Sequence, residues 1–280
     1  MSNGSNRNDK FWDVPRTFFD TSVSHVDLPM FFYDTRVRHL NYFVPYDRVA
    51  PLLKNTGLVP CKFFNGKCVV SLILYNYRDV SIGGYEEVTI TIVVRPEMFP
   101  DPKIYLTNFL KQKGSQWTVG AYVLEMPVTT PQARAAGREI WGFPKFETKI
   151  PFKFDGNRFE FGVLDPDTGE DIFQVKGHTF GGIPMAAFDL VTYSNLNDKI
   201  IKTIVDVDAK YKNCFLGKAE LKIGPSKHGM ADNIRQLGLD KLRPFVIQTT
   251  DKFRSRLNAG TPVADWKTPP IPYKPKSGAY

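Results

Sequence analysis

The sequence predicts a mainly β protein, α+β in detail, built on an antiparallel sheet or barrel with few helices. Segments of alternating or β-branched residues recur along most of its length. Asn-Gly and Asp-Gly pairs sit between several of them, as tight hairpins require, and segments with helical spacing are few and short.

In chain order, "DRVAPLLKNTG" allows about two helical turns, with Pro51 tolerated only near the start. "CKFFNGKCVVSLILYNY" reads as a hairpin turned at Asn65-Gly66 and running into a long strand. That register places Phe63 opposite Cys68 and Cys61 diagonal to it. Diagonal neighbours are ~7–8 Å apart, too far for an unstrained disulfide, so both are expected as reduced core thiols. "YEEVTITIVV" alternates, with Val88, Ile90, Ile92 and Val94 on one face. "WTVGAYVLEMPV" is a further strand, "FETKIPFKFDGNRFEFGVLDP" a hairpin turned at Asp155-Gly156-Asn157, and "DPDTGEDIFQV", "KIIKTIVDVDAKY" and "CFLGKAELKIG" continue the pattern. "MADNIRQLGLDKL" is a second helix candidate. The first 22 residues read as a mobile arm whose Phe11, Trp12, Phe18 and Phe19 could dock, residues 23–262 as one domain, and residues 263–280 as an extended Pro-rich tail.

The remaining helix, "TTPQARAAGREIWG", has Thr130 as N-cap, Pro131 at the first helical position and a narrow face of Ala133, Ala136, Gly137 and Ile140. Such a face lets a helix approach a sheet closely. Gly142 can end the helix in the left-handed conformation, and Pro144 prevents its resumption. Lys145 therefore opens a strand at a helix–strand junction. Alternation groups it with Glu147 and Lys149, the pattern of a solvated face. Enclosure among Trp141, Phe143 and Phe146 would instead favour the neutral amine, a nucleophile toward carbonyl carbon.

The formal charge of +8 arises from 37 Lys and Arg against 29 Asp and Glu, spread along the chain without a long basic run. No nucleic-acid-binding signature accompanies it, so an anionic small substrate is the simpler expectation. The four histidines are widely separated and fit no metal-ligand spacing. No apolar run approaches the ~20 residues that cross a bilayer, and the polar start lacks a secretory apolar core. A cytoplasmic protein without membrane or nucleic-acid partners is expected.

"GREIWGFPK" resembles the signature of the acetoacetate decarboxylase family, in which this segment carries a Schiff-base lysine; that family is a standing example of lysine activation. "GGYEEV" is similar to the family's carboxylate segment, "YDTRVRHLNYFVPYD" to its arginine strand and "LGKAELKIGPSKH" to a late strand, so the likeness spans roughly residues 30 to 260. The resemblance implies a cone-shaped antiparallel β-barrel with flanking helices, in a homo-oligomer that uses no cofactor. It implies Lys145 as nucleophile, Glu87 for proton transfer or substrate placement, and Arg36, with Arg38 as runner-up, for a substrate carboxylate. Trp141 and Phe143 are candidate pocket walls or core residues. From pattern alone Glu87 shares a polar face with Tyr85, Thr89 and Thr91, which a solvated carboxylate would equally suit. The implied reaction is decarboxylation of a β-keto acid. Phe146 stands where the family's decarboxylases usually carry a second lysine, and residues 95–118 form a longer connection than usual. Schiff-base aldol or dehydration chemistry on a keto substrate, or a non-catalytic ligand-binding barrel, are the alternatives.

Overall fold

The computed structural model describes residues 7–63, 65–101 and 116–263. Strands β1 (Thr17–Asp20) and β2 (His25–Leu28) form a small hairpin. The segment expected as a mobile arm is thus partly structured. Trp12 is buried, its ring 5.2 Å from Phe31 and 4.8 Å from Tyr33, because burying an indole outweighs ordering a short segment. Of the expected tail, Val263 packs into the core, and the rest lies outside the described residues, as do residues 102–115 of the long connection.

The main sheet uses β3 (Met30–Pro45), β4 (Leu58–Pro60), β5 (Lys67–Val80), β6 (Tyr85–Pro96), β7 (Gly120–Val128) and β8 (Lys145–Glu147). Between β3 and β4 lies one α-helical turn, α1 (Tyr46–Val49), continued by a 3-10 turn at Ala50–Leu53 that carries Pro51 in its first turn. After β8 come β9 (Phe152–Asp155), β10 (Arg158–Leu164) and β11 (Asp171–His178), which join β15 (Lys218–Ile223) in a separate four-stranded sheet ordered β15-β11-β10-β9. Strands β12 (Ile183–Ala186), β13 (Leu190–Leu196), β14 (Lys199–Cys214), β16 (Val246–Leu257) and β17 (Thr261–Pro262) complete the main sheet. Its path β6-β5-β3-β16-β14-β13-β7 returns to β6 through a β6–β7 pairing, so these strands form a ring of ladders.

Two pairings, β13 with β7 and β7 with β8, are parallel rather than antiparallel. For β7 and β8 the reason is α2 (Pro131–Trp141), which crosses over between them; parallel neighbours need such a crossover. The Cys61–Cys68 turn also differs in register. Phe63 N–H donates to Lys67 O and Gly66 N–H to Phe63 O, so Phe63 faces Lys67, not Cys68, and the loop is longer than two residues. All three cysteines are nevertheless free and buried.

Alternation sorts β3, β5 and β6 into two buried faces. One presents Leu40, Leu72, Leu74, Val88, Ile90 and Ile92 to the four-stranded sheet and to α3 (Gly229–Leu237). Each such side chain contributes roughly 1.5–3 kcal/mol by leaving water. The other presents Val37, Ile73, Tyr75, Tyr77 and Tyr85 toward Ala133, Ala136 and Ile140 of α2. A strand buried on both faces hides polar residues among its alternating positions, and there the expected solvated face is absent.

On β7, Glu125 accepts a 2.6 Å hydrogen bond from Asn233 Nδ2 of α3, and burial pushes its carboxyl up from 4.5 to about 7. The folded chain therefore holds a proton that the unfolded chain has released between those values, so stability falls as pH rises through that window. Glu125→Gln retains the acceptor without the charge. It is expected to flatten that slope and to be more stable than the parent at pH 8 by on the order of 2 kcal/mol, read from urea unfolding at pH 5 and pH 8.

Candidate active site

The segment leading to Lys145 is fixed by local rules. Thr130 is extended at φ −133° and its hydroxyl accepts from Ala133 N–H at 3.3 Å, while Pro131 starts α2. Gly142 ends the helix at φ 67°, and a side chain there would strike the backbone of Asn195. Gly137 does more than allow close packing. A Cβ on it would overlap Cδ of Lys145 and lie 2.5 Å from Cε, so the lysine stem runs across the helix where a side chain is missing. The stem is thereby led inward, and Lys145 is only 5% exposed.

At the end of that stem, Nζ lies 2.8 Å from Glu87 Oε2, with both side chains 5% exposed. The ring of Tyr85 sits 5.4 Å from Nζ. Tyr77 and Thr89 each donate a hydroxyl hydrogen bond, at 3.4 Å, to Glu87 Oε1. Tyr75 stacks on Tyr77 at 5.2 Å with nearly coplanar rings. Burial, reinforced by the negative charge of Glu87, raises the hydroxyls of Tyr75, Tyr77 and Tyr85 above their ordinary range, so they stay protonated. The result is an amine and a carboxylate in direct contact, ringed by neutral hydroxyls and aromatic faces. One proton moved from Nζ to Glu87 leaves a free amine beside a carboxylic acid, with no net charge added to the interior.

The ladders explain this meeting. Glu87 pairs with Val128 of β7, and Met126 and Val128 pair with Lys145 and Glu147 on the other side of the same strand. The two arginines expected to complete the site are elsewhere. Val37, not Arg36, shares the row Val37–Tyr75–Glu87, so Arg36 and Arg38 take the opposite face by the period of two. There they contact Asp251, from Arg36 Nε at 3.2 Å and Arg38 Nη1 at 2.9 Å, and both guanidiniums lie 4.7 Å from the Phe154 ring centre. The placement of Arg36 against a carboxylate substrate at Lys145 is corrected accordingly.

Trp141 donates its indole N–H to Asn258 O at 2.8 Å and stacks with Phe143 at 6.0 Å. They form the packed base of α2, while the ring nearest Nζ is Tyr85. Phe146 points away from Lys145, its ring 4.7 Å from that of His228. Tyr85, Tyr77, Thr89 and Gly137 were missed as site residues. Period-two spacing groups Tyr85 and Thr89 with Glu87, but on a face that reads equally as solvated, so their burial around the carboxylate is what the pattern does not show. A surface groove of about 750 Å³ between β10, β11, β15 and residues 240–243 contains none of these residues.

Three comparisons bear on this geometry. A family model described as acetoacetate decarboxylase matches residues 17–228. No curated protein matched. Among solved structures, an acetoacetate decarboxylase from Legionella pneumophila subsp. pneumophila str. Philadelphia 1 superposes with a TM-score of 0.59 at 17% identity, covering 94% of this chain and 97% of that one. The enduracididine biosynthesis enzyme MppR complexed with pyruvate gives 0.57 at 12% identity, with 85% and 90% covered. An acetoacetate decarboxylase-like enzyme from Sphingomonas wittichii RW1 gives 0.57 at 10% identity, with 83% and 91% covered. At these identities the structural likeness speaks for the fold, and the family model, spanning most of the chain, speaks for descent. The chain belongs to the acetoacetate decarboxylase family.

Proposed function

We propose that the protein is a cofactor-independent lyase in which Lys145 forms a Schiff base with a carbonyl substrate and Glu87 carries the proton. The observation that supports this most directly is the buried contact of Lys145 Nζ with Glu87 at 2.8 Å. Glu87 accepts a proton from the ammonium, the free amine attacks the carbonyl carbon, and water leaves to give a protonated imine. With a β-keto acid, the bond to the carboxylate carbon then breaks, its electron pair passes into the imine, and CO2 departs. The enamine takes a proton on carbon and is hydrolysed, returning Lys145.

The position of the arginines favours a second reading. Within two positions of the row Val37–Tyr75–Glu87, the same-face residues of β3, β5 and β6 are Thr35, His39, Ile73, Tyr77, Tyr85 and Thr89, none of them a lysine or arginine to hold a carboxylate, and MppR is described with a condensation product of pyruvate and imidazole 4-carboxaldehyde bound. Aldol, retro-aldol or dehydration chemistry uses the same imine and differs in which bond lies parallel to its π system. Incubation with acetoacetate and cyanoborohydride tests the common step. The expected result is a mass increase on the peptide bearing Lys145, and CO2 release without reductant assigns decarboxylation. An adduct without CO2 assigns the second reading. A chain left unmodified by a panel of carbonyl compounds is a ligand-binding barrel.

A further inference from the structure

The outer face of the four-stranded sheet is untouched by the chemistry of Lys145. Alternation along β10, β11 and β15 turns Phe159, Val175 and Leu221 into the core and leaves Arg158, His178 and Lys218 exposed. The ladders pair Arg158 with His178 and His178 with Lys218, so three basic residues form one row across three neighbouring strands. The 3-10 turn Leu239–Lys241 packs against β15, and Lys241 and Arg243 join that row in lining one groove of about 750 Å³. Basic side chains gathered in this way repel one another unless an anion answers them.

The chain itself supplies no such anion. Among the described residues, the side chains of Arg158, His178, Lys218, Lys241 and Arg243 have neither an ion-pair nor a hydrogen-bond partner. Three acids also line the groove, and two of them are engaged by other cations. Glu160 lies 3.3 Å from Lys176 Nζ and Glu220 lies 3.5 Å from Lys222 Nζ. The third, Asp240, pairs with none of the five. Phe180, 63% exposed, adds an open ring face to the lining. A solvated sheet face intersperses its charges, whereas this one collects unanswered cations and an exposed ring around a cavity.

We propose that this groove is a second binding site, separate from Lys145, for a multiply charged phosphate that carries a flat ring, the nucleotide class of compound. The proposal stands whether or not Lys145 forms an imine. Ordinary sheet spacing puts the Cα atoms of Arg158 and Lys218 about 10 Å apart, a span their long side chains close around a chain of phosphates. Guanidinium forks match phosphate oxygens in pairs, and a single carboxylate would answer only one of the five basic groups. The ring of Phe180 offers a stacking face for a base. The volume falls in the range of roughly 300–1,000 Å³ usual for small-molecule sites.

The test is calorimetric titration of the full chain with ATP, tripolyphosphate and adenosine, in about 0.15 M salt so that long-range attraction is screened. Expected in the parent protein is tightest binding of ATP, with tripolyphosphate about tenfold weaker for want of the stacked base. Adenosine, which lacks the phosphates, is weaker by at least about 100-fold. Arg158→Glu and Lys218→Glu each weaken ATP by about tenfold or more, the loss of a charged hydrogen bond. Phe180→Ala brings ATP to the level of tripolyphosphate. Lys199→Glu makes the same change of charge at an exposed lysine outside the groove and leaves the affinity for ATP unchanged. Equal affinity for ATP and tripolyphosphate, or no binding of either, overturns the proposal. So does a loss in Lys199→Glu that matches the groove variants, which would reduce the effect to attraction by net charge. The comparison of probes on the parent protein stands even if a variant fails to fold.

Discussion

Lys145→Met is expected to eliminate turnover, by at least about 10⁴-fold, with no borohydride-stable adduct at any carbonyl concentration. On the proposed Schiff-base reading the imine has no substitute once the amine is gone, and removal of a covalent nucleophile is among the costliest single changes in an enzyme. The substitution also leaves Glu87 as a buried carboxylate with only hydroxyl neighbours, Tyr77 and Thr89. Breaking one side of a buried pair costs about 3–5 kcal/mol, so the single variant is expected to unfold at markedly lower urea. Lys145→Met combined with Glu87→Gln removes the orphaned charge and recovers most of that stability while remaining inactive. A stable, inactive double variant separates chemistry from folding. Activity surviving in either variant would remove Lys145 from the mechanism.

Gly137→Ala has the second-largest expected effect, at a position on α2 that carries no side chain of its own. The added methyl meets Cδ and Cε of Lys145, and either the stem or α2 must give way. A displacement of about 1 Å at a reacting atom costs about 100-fold in rate, so kcat is expected to fall by that order with a smaller change in KM. The stability change is the sum of opposing terms. Alanine raises helix propensity by about 1 kcal/mol over glycine, and overpacking costs about 1–3 kcal/mol. The net effect on unfolding is therefore small beside the effect on rate. Steady-state kinetics with urea unfolding on the same preparation checks both. A large loss of stability with unchanged kcat would mean that the stem is not guided by the helix.

Much of the fold could be read in advance because local rules dominate it. Thr130, Pro131 and Gly142 fix the ends of α2, and the Val88–Val94 alternation fixes a face of β6. The parallel partnership of β7 and β8 was not legible, since a strand of three residues gives no periodic signal of its direction. The site divides in the same way. The structure brings together Lys145 and Glu87, which the motif resemblance implied, although their alternating neighbours read as a solvated surface; burial of both sheet faces defeats the rule that polar positions face water. Arg36 failed on a single step of register. In "TRVRH", residues 35 to 39, parity alone separates Val37 from its flanking arginines, and the sequence does not say which parity faces the lysine.

The attachment of β6 and β8 to opposite edges of β7 has a further consequence. The spacing between Lys145 and Glu87 is set by two backbone ladders on one shared strand, and behaves as a fixed gauge. Across the ring, β3 and β16 contribute Val37 and Phe253 to the apolar cluster on the same face. Exchange of residues on those far strands, such as Val37 and Phe253, can therefore proceed without resetting that spacing.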